Sequence, residues 1–266
     1  MRSIKLPGAA FIVCAIFLLI GVSIYVHGER FSENVRFFLN PSADTAYEIG
    51  AKHFDARSPA AYDINRASYF LHRAALLDPT YPDVQLLLAR IAFVRSDFQT
   101  ALRHINVQIA VHADTPPSAY YVRALVYGFT GEYEKAARDY EVFLKQAPDH
   151  WAGNNDYAWV LLQGNRPLDA LAAVDKGLEI SPNNPWLLNT RAIAQFELNL
   201  LDEAYATALL ARSAALETTA ETWRAAYPGN NPALARDGVQ TLRDSTEENL
   251  KKIEAALAGA TSEIIR

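Results

Sequence analysis

The sequence predicts an all-α fold: an α-solenoid of about five stacked helix pairs, closed by C-terminal capping helices and preceded by one transmembrane helix. Three observations lead there. A pattern of small and aromatic residues returns every 34 residues through the middle of the chain, an uncharged run of 21 residues lies near the N-terminus, and helix-start signals follow the last repeat. Half of the 266 residues are apolar, so the chain can bury a sizeable core and is not disordered as a whole.

The first element is the uncharged run from Leu6 to Val26. As a helix it would span roughly 30 Å, the thickness of a bilayer's hydrocarbon core. The alternative is a cleaved signal peptide, with Val26-His27-Gly28 as the cleavage site. Signal peptides carry apolar stretches of only about 7 to 15 residues, so a retained anchor over residues 1–28 is the expectation. Arg2 and Lys5 precede the run and Arg30 and Arg36 follow it. By a narrow margin this keeps the N-terminal tail in the cytoplasm and puts residues 31–266 outside it, as in a single-pass protein of the inner membrane facing the periplasm; the reversed topology is the alternative. The lone cysteine, Cys14, lies inside the run behind Phe11, Ile12 and Val13. It lacks the small preceding residue of a lipoprotein, and it leaves the rest of the chain without a disulfide or a thiolate metal site.

Residues 29–43 form a juxtamembrane segment in which Phe31, Val35 and Phe38 recur at i, i+4 and i+7, beside Phe37 and Leu39, until Asn40-Pro41 ends the pattern. This predicts a short amphipathic helix that lies in the membrane interface or packs on the first repeat.

The repeat is clearest from Tyr120 to Pro148. Tyr120, Ala124 and Tyr127 share a helical face, Gly131-Glu132-Tyr133-Glu134-Lys135-Ala136 turns and restarts a helix, and Tyr140, Phe143 and Pro148 follow. A shift of 34 residues lays Ala124 on Ala158 and Ala192, Ala136 on Ala170 and Ala204, and Pro148 on Pro182. Upstream, Ala89 and Ala101 flank Ser96-Asp97-Phe98 in the same way. Tyr47, Ala51 and Phe54, then Ala67, Leu71, Ala74 and Pro79, fit with about four extra residues around Ser58-Pro59. Small residues at two fixed points let antiparallel helices approach, and larger neighbours fill the space between pairs. The expected units are 44–81, 82–116, 117–150, 151–184 and 185–216.

Past Ala211 the frame weakens, and a helix is expected to run on through Trp223 to Tyr227 before Pro228-Gly229-Asn230-Asn231 breaks it. Asn231-Pro232 suits a helix start. Ser245-Thr246-Glu247-Glu248 reads as a capping box opening a helix with Leu250, Ile253 and Leu257 on one side. Residues 217–258 are thus expected to cap the stack, leaving 259–266 as a flexible tail.

Over residues 44–216 these motifs resemble the tetratricopeptide repeat family. The resemblance implies helix-turn-helix units stacked in a right-handed superhelix with a concave groove. The unit from Asn154-Asn155-Asp156-Tyr157-Ala158-Trp159 through Ala170 to Pro182 looks like the bacterial style of the repeat. In this family the first helix of each pair lines the groove. Carried over unit by unit, the resemblance implies Lys52, Arg90, Tyr121, Phe129, Asn155, Asp156, Trp159, Gln163, Trp186, Asn189, Thr190 and Phe196 as groove residues. Aromatics and amides dominate that set and suit an extended or helical peptide. The competing reading is that Phe129, Trp159, Trp186 and Phe196 pack between helices. Asn155 and Asn189 are the surer candidates, since they hold the same place in successive units and gain nothing from burial. The carboxylate clamp of chaperone-binding members is missing, because Glu48, Leu87, Ser118 and Val122 stand at several of its places.

Charge and chemistry narrow the function. Residues 1–30 contain Arg2, Lys5, Arg30 and Glu29; without them 22 basic and 29 acidic residues remain of the chain's 25 and 30. An acidic body without a basic, aromatic-interleaved stripe disfavours nucleic acid. The histidines, His27, His53, His72, His104, His112 and His150, form no metal-binding pair of the zinc-protease type, and His104 and His112 lack a third ligand. No phosphate-cradling glycine loop or nucleophile elbow is present. The expectation is a non-enzymatic, cofactor-free, membrane-anchored scaffold that holds a protein or peptide partner during assembly or maturation of an envelope complex. A regulatory or substrate-docking subunit of a membrane enzyme is the alternative, and self-association is compatible with both.

Overall fold

The computed structural model describes residues 28–111 and 116–264. The expected anchor at Leu6–Val26 and His112 lie outside them, and among the described residues no helix is long and apolar enough to cross a membrane. The described residues are helical, without strands. Helix α1 covers residues 28–39. Five antiparallel pairs follow: α2 (Ala43–Lys52) with α3 (Ile64–Leu77), α4 (Val84–Val94) with α5 (Phe98–Val111), α6 (Pro117–Phe129) with α7 (Tyr133–Gln146), α8 (Trp151–Gln163) with α9 (Pro167–Ile180), and α10 (Pro185–Glu197) with α11 (Leu201–Glu217). Then come α12 (Ala220–Ala226), a 3₁₀ turn (Pro232–Leu234) and α13 (Ala235–Ile264).

The small residues do what their spacing predicts. Ala89, Ala101, Ala124, Ala136, Ala158, Ala170, Ala192 and Ala204 are all fully buried where helices cross. Close approach extends to glycine: a Cβ on Gly177 would sit 2.5 Å from a δ carbon of Leu187 in the next pair. The intra-pair turn repeats as well. Gly131, Asn165 and Asn199, 34 residues apart, all have positive φ (80°, 57° and 59°), and Ser96 (58°) is the equivalent one residue out of phase. At each, the amide of the next residue bonds back to a carbonyl five residues earlier, as in Glu132 to Tyr127, Arg166 to Leu161 and Leu200 to Gln195. That is how a left-handed residue satisfies the carbonyls left open at a helix end. In the first pair this turn gives way to a loop, closed by the Asp63 amide on the His53 carbonyl (2.9 Å), where Asp63 caps α3. The core is accordingly a row of clusters passed from pair to pair.

Three features at the C-terminal end differ from expectation. The helix expected through Trp223 to Tyr227 is broken: Thr218 is extended, and the Thr219 hydroxyl caps a new helix by accepting from the Thr222 amide. The guanidinium of Arg243 donates to the carbonyls of Ala215, Leu216 and Thr218 and seals the end of α11. The supposed capping box at Ser245–Glu248 is helix interior, because α13 has already run from Ala235; the buried Thr246 hydroxyl bonds back to the Arg243 carbonyl. The helix continues to Ile264, into the segment expected as a tail. Leu250 and Ile253 meet Ala192, Ala204 and Ala208, so α13 covers the last pair.

At the other end α1 turns Phe37 onto Phe70 (5.5 Å, edge-on) and buries Glu33, while Phe31, Val35 and Phe38 face away from the repeats. Burial would raise the Glu33 carboxyl, but hydrogen bonds from His53, Lys52 and Arg66 hold it at about 2.

Candidate functional site

The first helices α4, α6, α8 and α10 present two contrasting regions. The first is a polar floor. Asp156 is half-buried and accepts from the Tyr121 hydroxyl (2.6 Å) and the Asn155 amide (3.3 Å). Burial pushes this carboxyl up to about 6 despite both donors, and the Tyr121 phenol is pushed well up by burial and then by the charge of Asp156. The Asn155 carbonyl accepts from Thr190 (2.9 Å), binding α8 to α10. Asn189 donates to Ser245 (3.4 Å) and accepts from Asn249 (2.9 Å), both on α13.

The chain itself covers this floor. Between α12 and α13, Tyr227-Pro228-Gly229-Asn230 forms a turn, the Asn230 amide bonding the Tyr227 carbonyl (3.0 Å). The segment reaches back to the first pair: the Pro228 carbonyl accepts from the Ala56 amide (2.9 Å), and the Gly229 carbonyl from the Tyr62 hydroxyl (3.4 Å). Tyr227 stands edge-on to Trp186 (5.8 Å), which stacks on Trp151 (5.8 Å). Arg90 lies over Phe54 (5.4 Å) and against the buried Gly229, where a Cβ would come within 2.6 Å of a guanidinium nitrogen. Among the described residues Arg90 makes no ion pair.

The second region is an open aromatic rim. Phe129 contacts Phe93 (5.2 Å), Phe98 (6.1 Å) and Trp159 (5.8 Å), and Trp159 also meets Tyr133 (6.4 Å). Phe129 is 60 % exposed and Trp159 37 %. Gln163, at the end of α8, is exposed as well.

The twelve residues implied by the resemblance therefore separate. Phe129, Trp159 and Gln163 are open to solvent. Tyr121, Asn155, Asp156, Asn189 and Thr190 are engaged within the protein, the two asparagines through hydrogen bonds to neighbouring side chains. Trp186 lies under Tyr227, and Phe196 lies beneath the Lys252 ammonium of α13 (4.4 Å). Lys52 faces α1, held by Glu29 (2.6 Å) and Glu33 (2.7 Å), because α1 covers the start of the stack. Phe93, Phe98 and the 227–230 segment were not foreseen. Phe98 and Tyr133 follow equivalent turns and could have been found by that equivalence; Tyr227–Asn230 has no local signal, its contact with Tyr62 spanning 167 residues. Among the described residues no group of three or more His, Cys, Asp or Glu is placed to hold a metal ion.

Residues 121–185 match the tetratricopeptide repeat family. No curated protein matches the sequence. Among solved structures, the fold is similar to that of MamA (TM-score 0.56, 16 % identity, 66 % of this chain and 92 % of the other). It is similar also to MamA 41-end from Desulfovibrio magneticus RS-1 (0.58, 12 %, 66 % and 96 %). YrrB, described as a TPR protein with an unusual peptide-binding site, gives 0.51 at 15 % identity over 72 % of this chain and 97 % of its own. The chain thus carries the tetratricopeptide repeat at residues 121–185, within an all-helical solenoid of the kind those structures share.

Proposed function

We propose that this protein is a membrane-tethered scaffold that holds a helix or peptide segment of a partner protein on the aromatic rim formed by Phe93, Phe98, Phe129 and Trp159, in the assembly or maturation of an envelope complex. The observation that carries this reading is the exposure of Phe129 inside a row of ring contacts. Rigid aromatics held in place by their neighbours offer contact area at small entropic cost, and aromatics dominate the energetics of protein interfaces. The polar floor is a poorer surface, since its amides and hydroxyls already have partners and a ligand would first have to displace Tyr227–Asn230. YrrB supplies a precedent for peptide binding on this fold. Tethering rests on the uncharged run from Leu6 to Val26 and on the charges flanking it.

Parallel pulldowns from membranes test the assignment. A Phe129→Ala/Trp159→Ala double variant is expected to lose the partner at least tenfold, and Asn155→Ala/Asn189→Ala to retain it. Recovery unchanged in the first and lost in the second would move the binding surface to the floor.

A further inference from the structure

Helix α1 is amphipathic in the reverse of the usual sense. A helix on the surface of a soluble protein turns its apolar stripe inward. In α1 the inward side is largely polar: Glu33 accepts from Lys52 (2.7 Å), His53 (2.8 Å) and Arg66 (2.9 Å), Asn34 accepts from Arg66 (3.0 Å), and Arg30 pairs with Asp63 (3.0 Å), while Phe37 is the ring set against the first pair. Buried and multiply paired, Glu33 fixes which side faces in, since removing its partners would strand a buried charge. The outward side carries Phe31, Val35, Phe38 and Leu39, exposed by 59 %, 38 %, 82 % and 75 %.

We infer that α1 lies along the membrane–water boundary, with Phe31, Val35, Phe38 and Leu39 seated among lipid headgroups and upper acyl chains, and that the Glu33 cluster fixes the repeats to this membrane-bound helix. The occupant follows from where the stripe sits in the chain. The uncharged run ends at Val26 and α1 is described from residue 28. Two residues of chain reach at most about 7 Å, so a run that spans a bilayer delivers α1 to its surface. A second copy of this chain is a weaker occupant: four partly exposed side chains offer on the order of 500 Å², short of the roughly 800 Å² that each partner gives a standard interface. A short stripe with a polar opposite face is the pattern that lies in an interface. The inference rests on the anchor proposed above and adds to it a fixed orientation of the solenoid on the membrane.

The test uses the full-length chain in nanodiscs of phosphatidylcholine and phosphatidylglycerol. Spin labels are placed one at a time through Val35→Cys, Phe38→Cys and, as a control on the exposed Leu168 of α9, Leu168→Cys, each with Cys14→Ser. Collision with oxygen reports lipid, and collision with a nickel chelate reports water. The expected result is an oxygen-to-nickel accessibility ratio several-fold higher at 35 and 38 than at 168. Equal ratios at all three sites, in a chain that resists carbonate extraction, would overturn the inference while leaving the anchor intact; carbonate release would remove both. Spin–spin coupling between labels at 38 in different molecules would overturn it in favour of a second copy.

Discussion

The polar floor and the aromatic rim both draw on the first helices, yet the polar groups of one are taken up within the chain and the rings of the other are left open. The difference lies in what has been laid across them. Asn189 would be a free amide at the end of a shorter stack; α13 supplies Ser245 and Asn249 and uses it up. Trp186 would be an open platform, and Tyr227 covers it. Among the described residues no later segment crosses the rim, and Phe129 packs sideways on Phe93, Phe98 and Trp159 and keeps most of its surface in water. A place in the repeat therefore assigns a side chain to a face, and the non-repeating ends decide whether that face is available.

Four substitutions break or sharpen this contrast. The largest effect is expected from Arg243→Ala, which removes charged donors from three carbonyls at the end of α11 and loosens the helix that occupies Asn189. Chemical denaturation should show a loss of about 2–3 kcal/mol. Asp156→Asn comes next, and it stabilises. The carboxyl ionises at 3.8 in its ordinary setting and at about 6 in the fold, so from about pH 4 to 6 the folded state keeps a proton that the unfolded chain has released. Stability of the natural protein therefore falls as pH rises through that window. The asparagine variant lacks this slope and should be more stable at pH 7.5 by on the order of 1–2 kcal/mol for a half-buried group, with the advantage gone by pH 4. A pH-independent difference in melting temperature would contradict the floor as described.

Gly229→Val is expected to cost about 1 kcal/mol, because the displaced Arg90 guanidinium can swing aside while the new side chain crowds the segment. Its signature is local: exchange of the Ala56 amide, which now bonds the Pro228 carbonyl, should accelerate at least tenfold. The smallest stability effect belongs to Phe129→Ala, below about 1 kcal/mol because the ring is mostly in water, even though this variant should weaken partner capture. A large destabilisation would mean that the rim is a structural element.

The legible part of this molecule was the local part. Ala124, Ala158 and Ala192 announce the helix crossings by their spacing, because the crossing that needs a small side chain lies within one unit and recurs. The same period carries the turn at Gly131, Asn165 and Asn199. The i, i+4, i+7 stripe of α1 was visible too, but not which side it faces, since that depends on Glu33 finding Lys52, His53 and Arg66 from 19 to 33 residues away. Ser245–Glu248 satisfied a local capping rule in the middle of a helix whose upstream turns pack Val239 and Leu242, and tertiary burial overrode it. Asn155 and Asn189 show the corresponding limit: polarity at a repeated position signals a required hydrogen bond, and that the chain's own Thr190 and Asn249 provide one is decided at a distance.

The contrast between rim and floor can be read most directly by placing a photoreactive benzoylphenylalanine at position 129 or at position 155 of the full-length protein in its native membrane and irradiating. A discrete partner adduct from position 129, absent from position 155, is the predicted result. An adduct from position 155 with none from position 129 would contradict the account, because the partner would then lie on the floor that Tyr227–Asn230 now covers.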